Sequence, residues 1–237
     1  MSLLPCHGRC CSTTRLTDVL FKVANMSAAI TCLAPFQGLS TSLDTLCAQA
    51  YGSGHKHLVG LQFQRMTFFL FTLAIPVAIT WWFSEGILRH IVPDPESARL
   101  AGQYLRIMIF SIPGFILFEG AKRFTQAQGL FRATTYVLII AAPLNVLVIW
   151  LLVYKFELGF IGAPIGVAFT DNLMPLLLFF YVKYVDGSQC WGGFSKRAFT
   201  NWWIMIKLAL PGMIMVSTRC CVLPVYAASL TFSTGRG

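Results

Sequence analysis

Long apolar runs separated by short polar ones set the pattern of this chain. Six stretches come close to the roughly 20 apolar residues that a membrane-spanning helix needs: 23–51, 67–83, 104–121, 133–154, 160–185 and 202–230. Backbone groups in lipid must bond internally, so runs of this kind predict helices. No barrel-type alternation of apolar and polar positions is present. The first run is only mildly apolar. It holds Gly, Ser and Pro35, and small residues suit a helix packed against other helices. The second ends at Trp81 and Trp82, whose rings suit a membrane interface. The third carries Pro113–Gly114 near its middle. The fourth is apolar except for Asn145, and the fifth except for Thr170, Asp171 and Asn172. Lys207, Pro211 and Arg219 interrupt the last. Residues 84–103 read as a loop with a new helix start, and 186–201 as a polar connection. Residues 1–20 are polar and irregular, without the apolar core and cleavage site of a signal peptide.

Charge orders these runs. If loops alternate sides, one set holds Lys56, Arg65, Lys122, Arg123, Arg132, Lys183, Lys196 and Arg197. The other holds Arg89, Arg99 and Lys155 with the acids Glu85, Asp94, Glu96 and Glu157. The cationic set is expected on the cytoplasmic side. The first run then enters from outside, which puts a basic head there, and a further helix before residue 20 would remove that conflict. Composition agrees with lipid as solvent. Hydrophobic residues make up 56% of the 237 and charged residues 11%, against about 25% charged in a soluble domain. The net charge of +9 would suggest nucleic acid in a soluble protein. Here the basic residues flank apolar runs, so topology accounts for them and no nucleic-acid partner is expected. The eight cysteines show no paired CxxC motifs, and the group Cys6, His7, Cys10 and Cys11 gives a metal site little support.

Ionisable and amide groups inside spans are costly and by default mark function. Asp44, Glu119, Asp171 and Lys207 lie in or at the ends of runs. The competing reading for each is a helix end at the interface or a bond between helices. Asp171 and Asn172 sit near the centre of the fifth run, where an acid lining a wet cavity could take up and release a proton. Asn145 could line the same cavity or bridge two helices. Gln49 lies about 140° round the helix from Asp44, so the two face one another only if that helix bends. Glu119 precedes Lys122 and Arg123 by one turn, which favours a local ion pair. Pro35, Pro113, Pro143, Pro164, Pro175 and Pro211 each free a carbonyl and bend a helix.

Four stretches resemble the multidrug and toxic compound extrusion (MATE) family, in its eukaryotic, fungal-like branch. The first is PFQGLSTSLDTLCAQAYGSGHKHLVGLQFQ from Pro35, with Gly38, Asp44-Thr45-Leu46, Gln49, Tyr51-Gly52 and Gln64-Arg65 at the family's positions. The others are FEGAKRFTQAQG from Phe118, LGFIGAPIGVA from Leu158 and KLALPG from Lys207. Together they cover about residues 22–216. The resemblance implies an all-α membrane protein whose six or so helices, the family's second to seventh, make most of one six-helix bundle of a two-bundle transporter. It implies antiport of cationic or amphipathic organic solutes against H⁺ or Na⁺, with no cofactor. The expected partners are membrane lipid and small organic solutes, in a plasma or vacuolar membrane. Asp44, Gln49, Asn145, Asp171 and Asn172 are its candidate cavity residues. The seventh helix of eukaryotic members carries an acid soon after Pro-Gly, whereas no acid occurs here between Lys207 and Gly237. Residues 1–21 and 217–237, the latter with Arg219, Cys220 and Cys221, depart from the pattern, as in a truncated or misassembled product.

Three other functions compete. A non-transporting membrane fragment or subunit would account for the missing acid and missing half. A lipid-linked sugar flippase would line its cavity with Lys and Arg, and mid-span cations are scarce. A membrane enzyme has no His-box, Ser/His/Asp set or phosphate loop to support it.

Overall fold

In the computed structural model, residues 28–86, 95–155, 161–184, 203, 206–216 and 218 are described. A π-helical segment, Ala29–Leu33, runs unbroken into α1, Ala34–Gly52. Then follow α2, Lys56–Trp82; α3, Pro95–Met108; α4, Ser111–Ala127; α5, Phe131–Trp150; and α6, Gly162–Tyr184. A second π-helical segment, Leu151–Lys155, extends α5. A short apolar helix, α7, covers Ile206–Val216. No strand occurs among the described residues. The amino-terminal head, the 186–201 connection and residues 219–237 lie outside them.

The local chemistry explains the breaks. Pro35 has no N–H, and its ring crowds the carbonyl of Thr31; the wider turn of the preceding π segment relieves that crowding. Gly54 and Gly129 adopt φ of 81° and 79°, the left-handed region that a Cβ disfavours. Each closes a reversal of a few residues, with Gly54 N–H donating to Tyr51 O at 3.1 Å and Gly129 N–H to Gln126 O at 2.9 Å.

Contacts fix the helix directions. Cys47 lies on Val59, and Trp81 donates to Thr31 at 3.0 Å, so α1 and α2 are antiparallel. Gly102 backs onto Glu85 and Gly120 onto the Phe63 ring, so the α3–α4 rod runs opposite to α2. Ser111 meets Asp171 and Phe118 packs with Leu178, so α4 and α6 are parallel. Tyr136 stacks on Tyr181 and Ile149 faces Gly166, so α5 returns antiparallel to α6. One end of the bundle therefore gathers the α1–α2 and α4–α5 turns and the end of α6. Lys122, Arg123, Arg132 and Lys183 share that end, as the charge alternation predicts.

The core follows helical spacing. Phe36, Leu39, Leu43 and Cys47 of α1 meet Val59, Met66 and Leu70 of α2 and Ile112 and Ile116 of α4. The outer faces are as apolar as the core: Ile75 and Ile79 on α2, Ile139, Val146 and Trp150 on α5, Phe169, Phe179 and Phe180 on α6 are exposed. Helices apolar all round suit lipid.

The six-span expectation is met only in part. Among the described residues, three helices are long and apolar enough to cross a membrane: His57–Trp82, Phe131–Lys155 and Gly162–Tyr184. A fourth span is made if Ala98–Met108 and Ser111–Ala127 count as one rod, bent by 49°. The expected single run 104–121 is thus two helices. Pro113 lies in the first turn of the second, where a missing N–H costs least. α1 is less apolar than these helices because Gln37, Asp44 and Gln49, with a run of Gly, Ser and Thr, lower its hydropathy. Gly38, Ser40 and Ser42 are buried against protein. α7 is too short over its described length. Of the two tryptophans at the end of α2, Trp81 is buried and bonded to Thr31, and Trp82 faces outward.

Candidate functional site

Polar side chains gather at two levels of the bundle. The first is the cationic end, where α1 meets α4. Glu119, Lys122 and Arg123 stand one turn apart on one face of α4. Lys122 Nζ donates to Glu119 Oε1 at 2.5 Å, and Arg123 Nη2 lies 3.9 Å from Glu119 Oε2. The local ion pair expected of Glu119 is therefore present. Arg123 does more, since its Nη1 donates to Asp44 Oδ2 across the helix interface. The Glu119 side chain is only 5% exposed and that of Arg123 15%, while that of Asp44 is 44% exposed. Two acids and two bases sum to zero charge, which is the condition under which such groups tolerate burial. Gly120 admits the Phe63 ring beside them, since a Cβ there would lie 2.9 Å from Phe63 Cε2.

Asp44 belongs to a face of α1 left open by the other helices. Gln37, Thr45, Ala48 and Gln49 are exposed there, and Thr41 is partly so. These positions recur every three or four residues, so they form one stripe along the helix. Gln49 is at its edge and does not bond to Asp44.

The second level is the α3–α4 break. Ser111 donates to Asp171 Oδ2. Asn172 Nδ2 donates to Phe110 O and to Ala168 O, both at 2.8 Å. The Asn172 amide therefore ties the break to α6. The helices nearly touch: a Cβ on Gly114 would lie 2.5 Å from Asp171 O and 2.7 Å from Asn172 Cα. Pro175 has removed the N–H that would bond Asp171 O within α6, and Gly114 leaves room for that carbonyl. Among the described residues no Lys or Arg pairs with Asp171.

Asn145 does not join this group. The pairing of Ile149 with Gly166 and of Tyr136 with Tyr181 puts it level with Thr170, whose hydroxyl donates to Gly166 O at 3.0 Å. Asn145 Oδ1 is buried without a hydrogen-bond partner. Lys207 is exposed on α7. Two partners escaped the sequence reading. Ser111 was not singled out, and Arg106, inside a predicted span, pairs with Glu85 at 3.3 Å and donates to Trp82 O at 3.2 Å. A cation at a span end opposite an acid from the neighbouring loop was the available signal for the second.

This chain is similar to known proteins. The sequence profile of the MatE family matches residues 21–151. An uncharacterized transporter of Saccharomyces cerevisiae, YDR338C, is 50% identical over 199 residues, covering 83% of this chain and 28% of its own. Protein DETOXIFICATION 16 of Arabidopsis thaliana is 36% identical, covering 82% of this chain and 40% of its own. The crystal structure of the eukaryotic MATE transporter AtDTX14 superposes with a TM-score of 0.80 at 24% identity, over 84% of this chain and 45% of that one. That likeness supports the fold. The chain spans less than half the length of each of these relatives. With more than half of its residues matched by the profile, the chain belongs to the MatE family of membrane transporters.

Proposed function

We propose that this chain forms part of a secondary active exporter, which moves cationic or amphipathic organic solutes out by antiport with H⁺ or Na⁺. Residues 22–216 are its bundle, and the end bearing Lys122, Arg123 and Arg132 faces the cytoplasm of a plasma or vacuolar membrane. One observation carries the reading. Asp171 lies mid-helix in a span with a neutral hydroxyl donor and no cationic partner among the described residues. A charge at that depth costs about 2.5–3.5 kcal/mol even on insertion scales. A proton or a sodium ion removes that cost when bound and restores it on release, which is what a coupling site requires. Asn172 holds the neighbouring helix break in place, and Asn145 offers an unpaired carbonyl at nearly the same depth. Asp44, with Gln49 on the open stripe of α1, offers a carboxylate to an organic cation. The two sites are then exposed in turn to either side, as in alternating access.

The test is uptake of ethidium into proteoliposomes holding the full-length protein, driven by a pH gradient. Gradient-driven flux is expected in wild type, and Asp171→Asn should abolish it while leaving ethidium binding at equilibrium. Absence of flux from wild type under either a proton or a sodium gradient would overturn the reading.

A further inference from the structure

We propose that Arg123 is a positioning residue with two seats, bound to Asp44 when no solute is present and moving onto Glu119 when a cation takes Asp44. The inference rests on the reading of Asp44 as a solute contact and adds the group that keeps it occupied in the meantime.

Three features of the cluster point to a shared arginine. First, Arg123 stands between carboxylates on two helices, Asp44 on α1 and Glu119 one turn back on α4. Second, the Glu119 seat is built but incompletely used. Glu119 Oε2 and Arg123 Nε are both buried with no hydrogen-bond partner, although Nη2 and Oε2 are 3.9 Å apart. A shift of about 1 Å brings that contact to charge-assisted hydrogen-bond length, and a guanidinium fork can then engage the carboxylate with two donors. An orphan donor and an orphan acceptor on neighbouring groups cost free energy that this shift recovers. Third, the two acids differ in access. Asp44 is 44% exposed on the open stripe of α1, whereas Glu119 is 5% exposed and reaches no solute.

The exchange leaves each of the cluster's own four charges beside an opposite one. With Arg123 on Asp44, Glu119 retains Lys122 at 2.5 Å. When an organic cation arrives at Asp44, Arg123 turns to Glu119, and the cluster gains the one positive charge that the solute brings. Without the second seat, the displaced guanidinium would be left buried and unpaired, an expensive state. Glu119 therefore lowers the cost of freeing Asp44 without touching the solute. Lys at position 123 would hold the same charge but lacks the fork that serves both seats.

The experiment uses the full-length protein in nanodiscs, with ethidium binding read by fluorescence anisotropy. Arg123→Gln removes the competitor and should tighten ethidium binding roughly tenfold, which is about 1.4 kcal/mol. Arg123→Lys, the variant more certain to fold, should tighten it several-fold. Glu119→Gln should weaken it roughly tenfold in wild type and leave it unchanged in the Arg123→Gln background. A merely structural ion pair predicts the opposite: looser binding on losing Arg123, and additive losses with Glu119. Either result overturns the proposal. A cycle without ligand decides separately. Asp44→Asn and Glu119→Gln should each lower the unfolding midpoint modestly, because Arg123 retains one seat, and together they should lower it by far more than the sum. Additive midpoints would refute the shared arginine even if wild type bound no ethidium, an outcome that would by itself remove only the solute reading of Asp44.

Discussion

Gly114→Ala tests the close crossing of α4 and α6. The added Cβ would sit 2.5 Å from Asp171 O and 2.7 Å from Asn172 Cα, both backbone atoms of α6. Ordinary contact begins at 3.4 Å, so the helices must part by about 0.9 Å at this point. Backbone cannot rotate away as a side-chain tip can, so α4 has to move as a rod. Overpacking of this kind costs about 1–3 kcal/mol. The movement also stretches the Ser111–Asp171 and Asn172–Phe110 bonds, each worth about 0.6 kcal/mol between membrane helices. The expected loss is roughly 2–4 kcal/mol, read by equilibrium unfolding in mixed dodecylmaltoside and SDS micelles. Gly52→Ala is the control, because nothing lies within 4 Å of its Cβ; it should stay within about 0.5 kcal/mol of wild type. Pro175→Ala sharpens the test. It returns the N–H that can draw Asp171 O back into α6, so combined with Gly114→Ala it should recover about 1 kcal/mol, a coupling usual for groups in contact. If Gly114→Ala matched the control, the close α4–α6 crossing, and the argument that Pro175 and Gly114 act together, would be wrong.

Three further outcomes follow from the same geometry. Gly38→Ala should destabilise the α1–α7 crossing by about 1–3 kcal/mol in the same unfolding assay, since its Cβ would meet Met213 Cα at 2.6 Å. Asn145→Leu should leave stability unchanged or raise it by about 1 kcal/mol, because it replaces a buried unpaired carbonyl with an apolar group; a concurrent loss of ethidium flux would mark Asn145 as part of the transport path. Arg106→Ala should remove one ion pair of Glu85 and cost no more than about 1 kcal/mol, because both side chains are partly exposed.

How far the sequence could be read depended on what lipid enforces. Helices at α2, α5 and α6 were legible because a bilayer rewards uninterrupted apolar length, and their directions because cations collect at one end. Where protein is the neighbour, these signals fade. α1 reads poorly as a span because its Gly and Ser residues serve close approach to other helices. The break at 109–110 left little trace: Pro113 suggested a mid-helix kink, yet the proline falls in the first turn of a new helix. Sequence also did not show that the two tryptophans at the end of α2 differ: Trp81 is buried with Thr31 taking its N–H, and Trp82 is exposed.

The candidate site was legible residue by residue but not pair by pair, and the pairs carry the chemistry. Helical periodicity predicts which neighbours share a face at three or four residues, so Glu119 with Lys122 could be foreseen. The offset between two helices is set by where glycines allow contact, and periodicity does not encode it. Asp44 meets a cation 79 residues away, and Asp171 a hydroxyl 60 residues away. That difference separates two acids that look equivalent in sequence. An acid already neutralised by arginine gains little from a proton and most from exchanging one cation for another. An acid held only by neutral donors is the one whose charge a coupling ion must cancel. The proposed function thus assigns solute recognition to Asp44 at the cationic end and ion coupling to Asp171 at mid-span. Swapping their surroundings tests this directly. Ser111→Lys should supply Asp171 with a permanent cation and uncouple flux from the gradient, whereas Arg123→Gln should leave coupling intact and alter only the solute affinity.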